Sequence, residues 1–330
     1  MGNRILIIGV GSIGERHVRC FQATGRATLS IVEVNEPLRK EVAARYAVRE
    51  FESLDAALAQ TPAVAVVAVP AHLHIPVATR LISAGIHVLI EKPLSTSLEG
   101  TASLLELARE RNATVGVAYV LRAVPALAAM REAVVSGRFG RPVQIVAVGG
   151  QHFPTYRPAY RDIYYKSRAT GGGAIQDALT HVVNAGEWLV GPVDRLIADA
   201  AHQVLPDVTV EDTVHVLARH GTVLGCYSLN QHQAPNETTI TVVCERGTVR
   251  YEHTPHRWMW MTEPGENWHE ETIGRLERDT IFIAQANAFL DAVERGERPA
   301  CTLQEGLQTL RVNLAALASL DSRGWESITP

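Results

Sequence analysis

The apolar run of residues 5–8 passes directly into Gly9-Val10-Gly11-Ser12-Ile13-Gly14, and a helical pattern follows over residues 14–23. Few features constrain a fold as tightly as a G-x-G-x-x-G set between a strand and a helix. The first glycine permits a tight turn, the second lets another group approach the backbone, and the third lets helix and strand pack closely. Free N–H groups and the dipole at the start of that helix favour an anion such as a pyrophosphate. Glu33 stands 19 positions after Gly14 (33 − 14), near the end of the next strand-like run, where a carboxylate accepts from ribose hydroxyls. Together they predict a dinucleotide site built from Gly9, Gly11, Ser12, Ile13, Gly14 and Glu33. The Glu33 charge repels a 2′-phosphate, so NAD is expected, with NADP the second option because Arg39 and Lys40 open the following helix.

Strand-like runs at residues 5–8, 29–34, 64–69, 87–90 and 114–117 alternate with helical patterns at 14–23, 37–46, 53–59, 74–83 and 98–111. This alternation is the pattern of βαβ units around a parallel sheet buried on both faces. After Arg122 the pattern changes. A helix at 125–135 and a strand at 143–148 precede strand-like runs at 212–218, 223–229, 238–243 and 248–252. Tight turns at Arg219-His220-Gly221 and Glu245-Arg246-Gly247 join them in pairs. We read an antiparallel meander, covered by helices near 174–189, 279–295 and 303–320. The expectation is an α/β protein with a doubly wound Rossmann sheet over residues 1–121. An α+β domain with an open, mainly antiparallel sheet follows over 122–330. A chain of 330 residues, 46% hydrophobic, supplies enough apolar side chains for two cores.

Charge and cysteine usage narrow the partners. With 31 Lys and Arg against 35 Asp and Glu, the chain lacks the basic excess that neutralises phosphates, so no nucleic-acid partner is expected. No run approaches the roughly 18 apolar residues of a membrane span, and the N-terminal apolar stretch is too short for a signal segment. Cys20, Cys226, Cys244 and Cys301 are scattered without a C-x-x-C pair, which points away from disulfides and metal sites and towards a reducing, cytoplasmic setting. The expected partner is a small molecule.

Two further motifs follow the glycines. Glu91-Lys92-Pro93 comes after the run ending at Ile90, and Gly171-Gly172-Gly173 leads into Asp177-x-x-x-His181. With the first motif, in this order and spacing, the chain resembles the Gfo/Idh/MocA oxidoreductases, the glucose-fructose oxidoreductase and inositol dehydrogenase group, from Ile5 to at least Gly191. The resemblance implies a Rossmann domain followed by an open-faced sheet carrying substrate contacts and often oligomer contacts, hence a homodimer or homotetramer. It also implies NAD or NADP with the nicotinamide near Glu91 and Lys92, and a peptide bond before Pro93 that is often cis. Pro70-Ala71-His72-Leu73-His74 resembles the family's Pro-Asn-x-x-His loop, which places Pro70 and His74 at the cofactor, with Ala71 where asparagine is usual.

Oxidising an alcohol by hydride transfer needs a group that takes the hydroxyl proton, and histidine, with an unperturbed pKa of about 6.5, serves both directions near neutrality. Asp177 and His181 stand four apart on an expected helix, so the carboxylate can orient or charge the ring. A surface pair explains that spacing as well; the glycines before it and the resemblance favour catalysis. Lys92 follows a strand at the carboxyl edge of a parallel sheet, where its ammonium can stabilise alkoxide charge. Whether Lys92 or His181 accepts the proton stays open. The run His152, Tyr156, Arg157, Tyr160, Arg161, Asp162, Tyr164, Tyr165, Lys166 and Arg168 suits a polar substrate pocket or, equally, a surface loop or oligomer contact. From it Tyr156, Arg157, Arg161 and Tyr164, with Arg122, are the expected substrate contacts beside Lys92, Asp177 and His181. The cations favour a polyol carrying a carboxylate or phosphate. Trp258, Met259, Trp260 and Met261 are read as core or interface. The leading function is an NAD(P)-dependent dehydrogenase acting on a secondary alcohol of a sugar, cyclitol or sugar derivative. The alternatives are an NAD-dependent glycosidase that oxidises transiently and a non-catalytic NAD-binding sensor.

Overall fold

The computed structural model describes residues 3–162, 164–272, 274, 276–277 and 279–329; Met1 and Pro330, the outer ends of the two expected domains, lie outside them. The first part of the chain runs β1 (Asn3–Ile8), α1 (Ser12–Ala23), β2 (Ala27–Val32), α2 (Glu36–Tyr46), β3 (Arg49–Phe51), α3 (Leu54–Leu58), β4 (Val64–Val67), α4 (His74–Ser83), β5 (His87–Ile90), α5 (Thr101–Glu110) and β6 (Val115–Val117). All six strands are parallel, in the order β3-β2-β1-β4-β5-β6. Ile5, Leu6, Ile7 and all four residues of β4 are fully buried, as a sheet covered by helices on both faces requires. The short β3 is not expected from the sequence, because Arg-Glu-Phe has no apolar run and pairs only at the sheet edge.

The second part begins with α6 (Pro125–Val135), β7 (Pro142–Gly150), α7 (Phe153–Tyr156) and α8 (Thr180–Val190). It continues with β8 (Arg195–Ala201), β9 (Thr213–His220), β10 (Val223–Asn230), β11 (Glu237–Cys244), β12 (Gly247–Glu252), β13 (Arg257–Met261) and β14 (His269–Thr272), and the chain closes with α9 (Thr280–Arg295), α10 (Leu303–Ser322) and β15 (Glu326–Ser327). Nine strands form one sheet in the order β14-β13-β12-β11-β7-β10-β9-β8-β15. The hairpins β9-β10 and β11-β12 form where the sequence places them, and Gly221 takes φ +61° in the first. The sheet is not a simple meander. β7 inserts between β10 and β11, antiparallel to β11 but parallel to β10. β7 pairs along both edges over residues 144–150, where an edge position would leave one row of backbone groups open. Trp258 and Met259 are buried on β13.

The chain forms two compact units, one of Met1–Ala123 with Glu277–Leu307 and one of Val124–Leu276 with Gln308–Pro330. This corrects the expected continuous second domain over residues 122–330. Ala286, Phe289 and Leu290 of α9 share a core with Ile5, Val18 and Phe21, and Arg26 pairs with Asp291 and Glu294. An amphipathic helix goes where its apolar stripe is buried, so α9 covers the parallel sheet rather than the antiparallel one. In the second unit Asn313 Nδ2 donates to Thr180 Oγ1 and Ala198 N to Ser319 Oγ, so α10 packs there against α8 and β8.

Candidate active site

In the first unit the fingerprint loop leaves β1 and enters α1. Gly9 sits at φ +81°, where a Cβ would lie 2.8 Å from the Ala68 carbonyl oxygen, and a Cβ on Gly14 would lie 1.9 Å from the Gly9 carbonyl oxygen. Neither position has room for a side chain. A Cβ on Gly11 meets nothing within 4 Å, and Gly11 and Ser12 are exposed with Ile13 half-buried at the start of α1. The first and third glycines thus serve packing and the second opens a cradle at a helix N-terminus, which fits a pyrophosphate. Glu33 closes the far side: Oε2 accepts from Val10 N at 3.0 Å and Oε1 from Asn35 N at 2.9 Å. Arg39, 8% exposed, donates to the Glu33 carbonyl oxygen at 2.8 Å and pairs with Glu50, while Lys40 pairs with Glu36. The Arg39 guanidinium is thus held by Glu50 and the Glu33 carbonyl, and with the Glu33 carboxylate at the cradle this unit fits NAD.

Pro70, Glu91 and Lys92 lie beyond the carboxyl ends of β4 and β5, on the same sheet edge as the cradle. The Lys92-Pro93 bond is cis. Lys92 is half-buried, and its N–H donates to Glu91 Oε2 at 3.0 Å; Glu91 Oε1 lies 2.6 Å from His17 Nε2 of α1. Pro70 opens a 3₁₀ turn over Ala71–Leu73. His74, only 1% exposed, sets Nδ1 3.0 Å from the Pro93 carbonyl oxygen and Nε2 2.8 Å from that of Val69. Both ring nitrogens face backbone carbonyls, and the neutral ring donates to one of them; burial pulls its pKa below the ordinary histidine value.

In the second unit the three glycines lead into a helix from Ala174, but its first turn is not α. Residues Ile175–Leu179 form a π turn before α8 begins at Thr180, where the sequence predicts a continuous α-helix. Such turns are rare and frequent at functional sites. Asp177, 3% exposed, is on this turn, and its Oδ1 accepts from the Tyr164 hydroxyl at 2.7 Å. His181 is half-buried in the first turn of α8. The glycines are needed for contacts within this unit: a Cβ on Gly172 would lie 1.9 Å from the Tyr165 carbonyl oxygen, and one on Gly173, at φ +91°, 2.4 Å from Glu211 Oε1. Glu211 is 1% exposed. Its carboxylate accepts from Ile175 N and Arg168 Nε, and its carbonyl from Ala174 N, capping the helix that carries Asp177 and His181.

Several expected substrate contacts are placed differently. Arg122 is 6% exposed and bonded to the Ala300 carbonyl and Glu305, so its guanidinium serves the interior of the first unit. Arg161 pairs with Asp207 and Arg168 with Glu211, acids that lie more than forty positions on in the sequence. Arg157 lies over the Phe153 ring at 5.6 Å and remains exposed, as do Tyr156, Tyr164 and Lys166. Phe153, Tyr160 and Tyr165 form a small core with Leu205, Val208 and Val210, which holds the segment in place. Sequence reasoning missed His17 and Glu211. A histidine on the apolar stripe of α1, three residues after Gly14, needs a buried partner, and that is a signal; Glu211 carries none.

A parallel sheet of this order with a glycine cradle beyond β1 defines a dinucleotide-binding Rossmann domain. Residues 3–119 match the model of the Gfo/Idh/MocA oxidoreductase family, NAD-binding Rossmann fold, and residues 127–250 match the Gfo/Idh/MocA C-terminal domain. The chain belongs to this family and is an NAD-binding oxidoreductase. It is 30% identical over 323 residues to UDP-N-acetylglucosamine 3-dehydrogenase of Acidithiobacillus ferrooxidans, covering 94% of each chain. It is 30% identical over 321 residues to 1,5-anhydro-D-fructose reductase of Ensifer adhaerens, covering 96% of this chain and 95% of that one. Among solved structures, levoglucosan dehydrogenase in complex with NADH shares the fold over the full length of both chains, with a TM-score of 0.90 at 19% identity.

Proposed function

We propose that this chain transfers a hydride between NAD and a secondary alcohol carbon of a sugar, cyclitol or sugar derivative. The observation that carries the reading is the Asp177 carboxylate, buried on a π turn four residues before a half-buried histidine and bonded to an exposed tyrosine. Bound NAD supplies the hydride acceptor. In this reading Lys92 stabilises alkoxide charge on the reacting oxygen. His181 takes the hydroxyl proton during oxidation and returns it during reduction, and Asp177 supports the protonated ring. Tyr164 and Tyr156 contact substrate hydroxyls. A preference for an anionic substrate now rests on Arg157 and Lys166, since Arg161 and Arg168 have acid partners.

The deciding experiment is a spectrophotometric screen of nucleotide sugars, anhydro sugars, inositols and sugar acids with NAD and NADP. The names of the two relatives given above put the first two classes at its head. NADH formed in stoichiometry with an oxidised product supports a dehydrogenase. Turnover of aryl glycosides without added NAD supports the transient-oxidation alternative instead. We place the enzyme in the cytoplasm, where its four free thiols stay reduced. We read it as a homodimer or homotetramer, supported by Val148, Leu217 and Leu224, which are about half exposed on one face of the nine-stranded sheet and testable by light scattering.

A further inference from the structure

We propose that His17 is a positioning residue for the reaction: through Glu91 it fixes the backbone of Lys92, tying that lysine to the helix whose N-terminus forms the pyrophosphate cradle. The inference rests on the role given to Lys92 above. His17 and Glu91 are 1% and 5% exposed, and their contact of 2.6 Å joins α1 to the segment after β5. The other carboxylate oxygen receives the Lys92 N–H. One buried carboxylate therefore spans from a helix side chain to the backbone of the lysine. Phe21 and Phe282 of α9 flank the imidazole, with ring centroids 6.1 and 6.4 Å away.

A carboxylate in such surroundings is costly unless a donor meets it. Burial acts to raise the Glu91 carboxyl, but the His17 hydrogen bond and charge, with the Lys92 charge and N–H, hold it below the ordinary range. The charged and titratable neighbours are His17 from α1, Lys92 on the same segment and His74 from α4. His74 Nδ1 lies 3.0 Å from the Pro93 carbonyl oxygen, so a buried histidine stands at each end of Glu91-Lys92-Pro93. Packing alone does not call for this arrangement. Val18 and Phe21 already seat α1 in the core, and an apolar pair at positions 17 and 91 would fill the volume without aiming an acceptor at the Lys92 N–H.

The test uses the full chain with NAD, reading amide exchange of Lys92 and the Glu91 carboxyl titration by NMR. In His17→Phe, Lys92 exchange should accelerate about tenfold or more and the Glu91 midpoint should rise by about one unit or more, while β1 and β4 amides keep their protection. His17→Gln, which restores an N–H donor, should return both towards wild type. On the substrate selected by the screen, His17→Phe should lower kcat about tenfold with KM for NAD within about twofold. Unchanged Lys92 exchange and Glu91 titration in folded His17→Phe overturn the proposal. Should that variant not fold, Glu91→Gln reads the same link: faster Lys92 exchange supports it and unchanged exchange overturns it. If Lys92→Ala keeps its kcat while His17→Phe still frees the Lys92 amide, the role of Lys92 fails and the brace stands. An inactive Lys92→Ala beside an unaltered His17→Phe shows the reverse: the role of Lys92 stands and the brace fails.

Discussion

The Tyr164 hydroxyl donates to Asp177 Oδ1 at 2.7 Å, joining an exposed residue of the loop before the glycines to the buried carboxylate of the π turn. Removing that hydroxyl leaves the carboxylate short of one donor without emptying the site. Tyr164→Phe should therefore lower kcat by about tenfold, the worth of one hydrogen bond, while KM for NAD stays within about twofold. Steady-state kinetics check this. Unaltered kcat and substrate KM would remove Tyr164 from the site.

Cofactor choice turns on Glu33 and Arg39. The Glu33 carboxylate is fixed by two backbone N–H donors, and Arg39, the nearby guanidinium suited to a 2′-phosphate, is held on the Glu33 carbonyl and Glu50. We expect kcat/KM with NAD to exceed that with NADP by at least about tenfold, because a 2′-phosphate would meet the Glu33 charge at close range. Glu33→Ser should narrow the ratio by lowering the NAD value. Equal efficiency with the two cofactors in the wild-type enzyme would sink the assignment.

Lys92→Ala and His181→Ala should each lower kcat about a hundredfold or more, the usual range for a positioned proton-transfer or charge-stabilising group, with little change in NAD affinity. Asp177→Asn should cost less, since it removes charge support and keeps the imidazole. Near-normal kcat in His181→Ala across neutral pH would move the acid/base role to Lys92 or a tyrosine.

Much of this is legible in the sequence because it is local. The fingerprint, the alternation of the first 120 residues and both hairpins each depend on spacings of a few residues, and Glu33 is read from its place one βα unit after the fingerprint. What cannot be read there depends on distant partners or on weak patterns. Arg161 and Arg168 pass for free cations until the fold brings Asp207 and Glu211 to them, and Arg122 meets Glu305 from the far end of the chain. β7 reads as an ordinary strand, and nothing local says that it will part β10 from β11. β8, with three alanines in seven residues, and β13 with β14, rich in polar and aromatic residues, lack the period-two alternation that marks a half-buried strand. The π turn is a one-residue departure inside a helical pattern, to which periodicity is blind.

Asp212 supplies a prediction about stability rather than rate. It is fully buried just before β9, where its carboxylate accepts from the N–H groups of Gln203, Val204 and Leu205 and from the Thr213 hydroxyl. Burial acts to raise its pKa, but these donors outweigh it and hold the group below its ordinary value of 3.8. A carboxyl depressed on folding contributes stability that is fully present above the unfolded value and is lost as pH falls through the folded one. Asp212→Asn should therefore destabilise at pH 7, on the order of 1–2 kcal/mol, because a neutral amide oxygen accepts less strongly than a carboxylate and its NH2 meets donors instead of acceptors. The gap between wild type and Asp212→Asn should persist down to about pH 4 and close progressively below it, since protonated Asp212 has lost the same advantage. Urea unfolding of both proteins across this range measures it; a gap that stays constant to about pH 2 would show that the loop over residues 203–205 is held by something other than the Asp212 charge.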